Sequence, residues 1–171
     1  MLNTIIQILA IASLGYVGFA VWRVTMFRTR ACTTDAAMPP VSVLKPICGL
    51  EKHLYENLRS FCNQDYPQYQ IIFGITDRAD SALPIIERVM QDFHEKDISI
   101  SINNRLIGSN RKVSNLANMF LLAKYELLVI ADSDMQVGTD YLRSVTAPFN
   151  DARVGAVTCL YTGVPTAGLA S

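Results

Sequence analysis

The longest apolar run comes first. Residues 2 to 22, LNTIIQILAIASLGYVGFAVW, carry no charged side chain, and Arg23, Arg28 and Arg30 follow. About 20 such residues suffice to cross the hydrocarbon core of a bilayer. Tyr16 and Trp22 stand where interfacial aromatics sit, and positive charge after the run keeps that flank on the cytosolic side. A cleaved leader wants its positive charge before the run, and none is there. The expectation is a single-pass membrane protein: a transmembrane anchor over residues 1–23, a linker over 24–39, and a cytosolic domain over 40–171. In a bacterial cell the membrane would be the inner one.

Beyond residue 40 the pattern switches between two periods. VSVL at 41–44 and QIIFGIT at 70–76 are apolar runs of strand length, and DISISIN at 97–103 alternates as a half-buried strand does. Between them lie helical spacings. One has Leu54, Tyr55, Leu58, Phe61 and Cys62 within 51–62. Another starts at Ser81, with Pro84 in its first turn and Leu83, Ile86, Val89, Met90 and Phe93 on its apolar side. A polar, glycine-containing loop at 108–112 leads into a third helix, roughly 113–124. The run LLVIA from 127 is a further strand, a helix starting at Gly138 or Thr139 is ended by Pro148, and GAVTCLY at 155–161 is a last strand. Strands alternating with helices predict an α/β fold with a mostly parallel sheet. In such sheets ligands bind beyond the carboxyl ends of the strands, where strand order reverses.

Composition narrows the partners. The 171 residues have no net formal charge, which weighs against a nucleic-acid partner. Cys32, Cys48, Cys62 and Cys159 form no CxxC pair, and His53 and His94 are isolated, so neither a zinc site nor a disulfide scaffold is expected. Reduced thiols suit a cytosolic domain. No Walker motif and no GxGxxG is present.

The chemistry concentrates at strand ends. Asp132-Ser133-Asp134 follows LLVIA directly. In an extended segment residues i and i+2 face the same way, so both carboxylates can meet the crevice. Two carboxylates close together repel, and a cation relieves the repulsion. Oxygen ligands suit Mg²⁺ or Mn²⁺, and Mg²⁺ is usually held by one or two carboxylates plus substrate phosphates. A phosphate ester is therefore the ligand class that makes sense of the pair, against the blander role of solvated turn residues. Asp77 can bond a base or ribose, or cap the helix after it, and Asp80 reads as that cap. Arg111 and Lys112, before a helix, can meet phosphate or simply be loop cations.

Four stretches in order resemble one family: PPVSVLKPICGLEKHLYENLRSFCNQDYP, FGITDRAD, GSNRKVSNLANM and LLVIADSDMQVGTDYL. They are similar to the ceramide glucosyltransferase family (glycosyltransferase family 21), particularly its bacterial branch linked to hopanoid glycosylation. The resemblance implies a GT-A fold, with a Rossmann-like sheet that binds a nucleotide sugar, usually UDP-linked. It also implies glycosylation of a lipid, ceramide- or hopanoid-like, on the cytosolic side of the membrane. By the same resemblance the donor is met by Lys45, Pro46, Asp77, Lys112, Asp132 and Asp134. The divalent metal, Mg²⁺ or Mn²⁺, falls to Asp134 and Asp132, and Asp134 is the expected diphosphate contact. The family's catalytic base and its QxxRW-type motif have no counterpart in these 171 residues, so the chain is expected to be the donor-binding half, a fragment or truncated product, and inactive alone. Two alternatives stand beside it. One is a non-catalytic, membrane-anchored nucleotide-sugar-binding or interaction module. The other is a phosphatase of the haloacid-dehalogenase type, which also places DxD after an apolar strand but on its first strand.

Overall fold

Residues 2–28 form one long helix. The computed structural model describes residues 2–28 and 37–163, in two units that span 1–35 and 36–171. Helix α1, Leu2–Arg28, is the whole described part of the first unit, and its described side chains are almost all exposed. Its stretch Leu2–Met26 is long and apolar enough to cross a membrane, and an 18-residue window within it has a mean hydropathy of 2.0. The helix outlasts the uncharged run because Val24, Thr25 and Met26 continue its composition past Arg23. Residues 29–36 of the expected linker lie outside the described residues.

The second unit is a parallel four-stranded sheet. The strands are β1 (Val41–Pro46), β2 (Tyr69–Ile75), β3 (Ile98–Ile102) and β4 (Leu127–Ile130), in the order β3-β2-β1-β4. The connecting helices are α2 (Leu54–Cys62), α3 (Leu83–Asp92) and α4 (Arg111–Phe120), with a short α5 (Tyr141–Thr146) after β4. The order reverses between β1 and β4, so the ends of those two strands frame the crevice such sheets use for ligands.

Alternation along β1 and β2 sends two different sets of side chains to the two faces. Val41, Val43, Ile71, Phe73 and Ile75 meet Leu54, Leu58 and Phe61 of α2 and Ile86 and Val89 of α3 in one large apolar cluster. On the other face Leu44 and Ile72 meet Met119 of α4 in a cluster of three buried residues. Much of that second face is polar. Ser42 Oγ donates to Gln70 Oε1 (3.1 Å), Gln70 Nε2 donates to the Leu122 carbonyl (3.1 Å), and the Lys124 N–H donates to Gln70 Oε1 (3.1 Å). Gly74 lies where α4 comes closest: a Cβ there would strike the Met119 side chain and come within 2.7 Å of Asn115 Oδ1.

Four sequence expectations are corrected. Strand β1 runs on through Lys45 and Pro46, because it is central and both residues are buried between neighbours. Helix α2 begins at Leu54 rather than at 51, after a turn with His53 at φ 60°. The α5 helix stops at Thr146, and Pro148 sits inside the 3-10 turn Ala147–Asn150 that follows. GAVTCLY forms no strand: residues 155–161 have irregular backbone and mostly exposed side chains. An apolar run becomes a strand only where another strand takes its hydrogen bonds, and none does among the described residues.

Candidate functional site

Lys45 ends the buried row Val41, Val43, Lys45 on the α2 face of β1. It is fully buried. Its Nζ lies 3.8 Å from the Phe61 ring centroid and donates to the Asp132 carbonyl at 2.7 Å. Burial lowers its pKa from 10.5 to about 7, against the carboxylates of Asp134, Asp132 and Glu51, which push it back up. The amine thus serves the site from beneath, by holding the backbone of the β4–α5 connection.

That connection is a turn. After Ala131, whose N–H bonds the Leu44 carbonyl, the Met135 N–H folds back to the Asp132 carbonyl at 3.2 Å. The carboxylates therefore stand on a turn, not on the extended segment their spacing suggested. Burial still alternates across it: Asp132 and Asp134 are exposed, while Ser133 points inward. Ser133 Oγ donates to Glu51 Oε1 at 2.8 Å. Glu51 Oε2 is buried with no hydrogen-bond partner. Glu51 sits between β1 and α2, and sequence reasoning assigned it no site role. Its partner lies 82 residues away, so no local spacing signals the contact.

Lys112, in the first turn of α4, forms an ion pair with Asp132 Oδ1. Asn110 caps that helix, its side chain accepting from the Val113 N–H. Arg111 is exposed beside it. The structure thus brings Lys45, Lys112, Asp132 and Asp134 to one place, with Pro46 buried at the end of β1 next to them. Asp77 lies apart. It lines an open pocket of about 300 Å³ with Thr76, Arg78, Ile102, Asn103 and Asn104, beyond the ends of β2 and β3. Its Oδ1 accepts from the Ala79 N–H in a local turn. Asp80 does more than a cap: both carboxylate oxygens accept from the Gly49 N–H at 3.1 Å, and Oδ1 accepts from the Ala82 N–H. It ties the β1–α2 loop, where Gly49 has φ 74°, to the start of α3.

A divalent cation fits this donor set. The cluster holds two basic side chains, Lys45 and Lys112, and three carboxylates, Glu51, Asp132 and Asp134. Asp134 is the exposed one with no hydrogen bond or ion pair to another described side chain. No group of three or more His, Cys, Asp or Glu gathers as a cage among the described residues. A cation here would rest on one or two carboxylates and complete its shell elsewhere, as Mg²⁺ does on substrate phosphates.

A parallel sheet with acidic residues on the turn beyond its reversal point is the architecture of GT-A-type glycosyltransferases, and solved structures agree on the fold. The mannosyltransferase PcManGT from Pyrobaculum calidifontis, in complex with GDP-Man and Mn²⁺, superposes with a TM-score of 0.67 at 20% identity, over 88% of this chain and 45% of that one. Residues 1–349 of S. aureus TarS give a TM-score of 0.51 at 25% identity, over 66% and 32%.

The chain belongs to glycosyl transferase family 21, whose sequence profile matches residues 5–171. Among curated relatives, ceramide glucosyltransferase 1 of Caenorhabditis elegans is 30% identical over 125 residues, covering 72% of this chain and 27% of its own length. Ceramide glucosyltransferase 3 of the same organism is 29% identical over 106 residues, covering 62% and 23%. The Komagataella phaffii ceramide glucosyltransferase is 28% identical over 148 residues, covering 84% and 29%. The chain thus spans roughly a quarter of these relatives' length. Family membership and a DxD on the fourth strand in sequence leave no support for the phosphatase alternative.

Proposed function

We propose that this chain is the donor-binding half of a membrane-anchored glycosyltransferase that moves a hexose from a nucleoside diphosphate, UDP by preference, to a lipid acceptor. The observation that carries it is the Asp132–Asp134 turn at the strand reversal, held from below by Lys45 and Glu51 and flanked by Lys112. Asp134 and Asp132 would hold Mg²⁺ or Mn²⁺. Such an ion supplies charge neutralisation on the leaving diphosphate. Lys112, at a helix N-terminus, adds a cation and backbone N–H groups for phosphate oxygens. Asp77, with the open pocket around it, would take the base or ribose. Lys45 and Glu51 hold the backbone of the turn in place before donor arrives, so that only side chains rearrange, the Lys112–Asp132 pair among them. The relatives' names support a ceramide-like lipid as acceptor. A hopanoid-type lipid is the other candidate, and α1 would anchor the chain in the bilayer with the domain on the cytosolic side.

The base that deprotonates the acceptor would come from the part of the relatives' length that this chain does not span. The expected behaviour is donor binding without transfer. The test titrates the full chain in detergent micelles with UDP, with and without Mn²⁺. Binding should require the metal, and Asp134→Asn should weaken it at least about tenfold, in line with loss of a metal ligand. Absence of UDP binding at millimolar concentration in the presence of metal overturns the reading. Robust UDP-sugar turnover by this chain overturns the division into halves.

A further inference from the structure

Helix α4 is turned inside out. Its buried side chains are Ser114, Asn115, Asn118 and Met119, three of them polar. Val113 and Phe120 face outward, 56% and 57% exposed, and Ala117 between them is half-buried. Positions 113, 117 and 120 share one helical face. The inward polar groups have work to do. Asn118 Nδ2 donates to the carbonyls of Asn103 (3.4 Å) and Arg105 (3.0 Å), and Ser114 Oγ accepts from the Ile107 N–H (3.1 Å). These bonds fasten the β3–α4 loop to the helix. They hold Leu106 and Ile107 outward, 61% and 59% exposed.

The charge that this segment itself carries has one sign. Residues 98–125 contain no Asp or Glu, but contain Arg105, Arg111, Lys112 and Lys124. Lys112 and Lys124 are paired with Asp132 and Asp97. Arg105 and Arg111 are exposed, with no side-chain partner among the described residues. Exposed apolar patches of this kind mark contact with a protein or a membrane, and the charge discriminates. Apolar side chains beside unpaired guanidiniums, with no carboxylate near in sequence, complement anionic headgroups over an acyl layer. A second copy meeting the patch across a two-fold would oppose the same cations to themselves.

We propose that the Arg105–Ile107 loop and the outer stripe of α4 dock on the anionic surface of a lipid bilayer. Lys112, in the first turn of the same helix, is the partner of Asp132. Docking therefore holds the Asp132–Asp134 turn next to a headgroup layer, which is where a lipid acceptor presents its hydroxyl if the donor reading holds. The docking itself does not depend on that reading.

The test uses the full chain with Trp22→Phe, which removes its single tryptophan, and Leu106→Trp as reporter, reconstituted in vesicles. Phe120→Trp is a second, independent reporter. In vesicles containing roughly a third phosphatidylglycerol, emission should be blue-shifted and quenched by brominated acyl chains. Quenching should fall several-fold in pure phosphatidylcholine or in about 1 M salt, where screening is nearly complete, and again with Ile107→Asp. Solvent-like emission untouched by brominated lipid at both reporters overturns the proposal. So does a blue shift without bromine quenching, which would mean that protein covers the patch. A UDP and Mn²⁺ titration on the same samples reads the donor site separately, so either reading can fail while the other stands.

Discussion

The α2–α3 side of the sheet and the α4 side do different jobs with the same strands. On the first, seventeen described residues form one buried apolar cluster, and on the second three do. The first side stabilises by removing apolar surface from water, at about 25 cal/mol per Å². The second relies on Gln70, Ser114, Asn115 and Asn118, whose hydrogen bonds are worth less each but are directional. Direction is what the β3–α4 loop and, with it, Lys112 need. The lesson is a division of labour: burial on one side makes the sheet stable, and polar contacts on the other set the β3–α4 loop and Lys112, while the acidic turn is held from the α2 side by Lys45 and Glu51.

Three changes should break or sharpen that contrast. Leu58→Ala on the apolar side removes a fully buried side chain and should cost about 3 kcal/mol, read by urea denaturation. The second concerns Lys45, which joins the apolar side to the acidic turn. Its folded pKa, about 7, lies below its unfolded value of 10.5, so the unfolded chain binds more protons between those pH values and stability rises with pH there. Above about pH 9 Cys62, pushed up to about 12 by burial, acts in the opposite sense. Stability should therefore climb by ~2 kcal/mol from pH 7 to pH 9, and Lys45→Met should flatten the climb. Gln70→Leu, the smallest of the three, leaves the Leu122 carbonyl and the Lys124 N–H without their partner and should cost ~1–2 kcal/mol. Amide exchange at Lys124 and Tyr125 should accelerate in that variant. A Gln70→Leu protein as stable as the parent, with unchanged exchange, would remove the contrast.

Strand positions were legible wherever an apolar run met a real neighbour, as at 41–44, 70–76 and 97–103. GAVTCLY has the same local signal without the neighbour, and pairing is not written in a single run. The acidic turn was legible because two carboxylates after an apolar strand are unusual in themselves. Glu51 was not, since its partner Ser133 is close only in three dimensions. For α4 the periodic spacing indicates a helix but not which side turns inward. Only the carbonyls of Asn103, Arg105 and Gly74, waiting for donors, explain why the polar side does.

The hydrogen bond from Lys45 to Asp132 joins residues 87 positions apart, the first strand of the sheet to the turn after the fourth. Contacts this distant in sequence are reached late, because a long loop must close before they form. During synthesis the ribosome delivers β1, β2 and β3, together with their helices, well before Asp132 exists. Until then the Lys45 ammonium has neither its carbonyl nor the nearby Asp132 and Asp134 carboxylates, and the crevice has only one wall. Order of manufacture and order of assembly therefore coincide at this site, and the acidic turn closes the structure it completes.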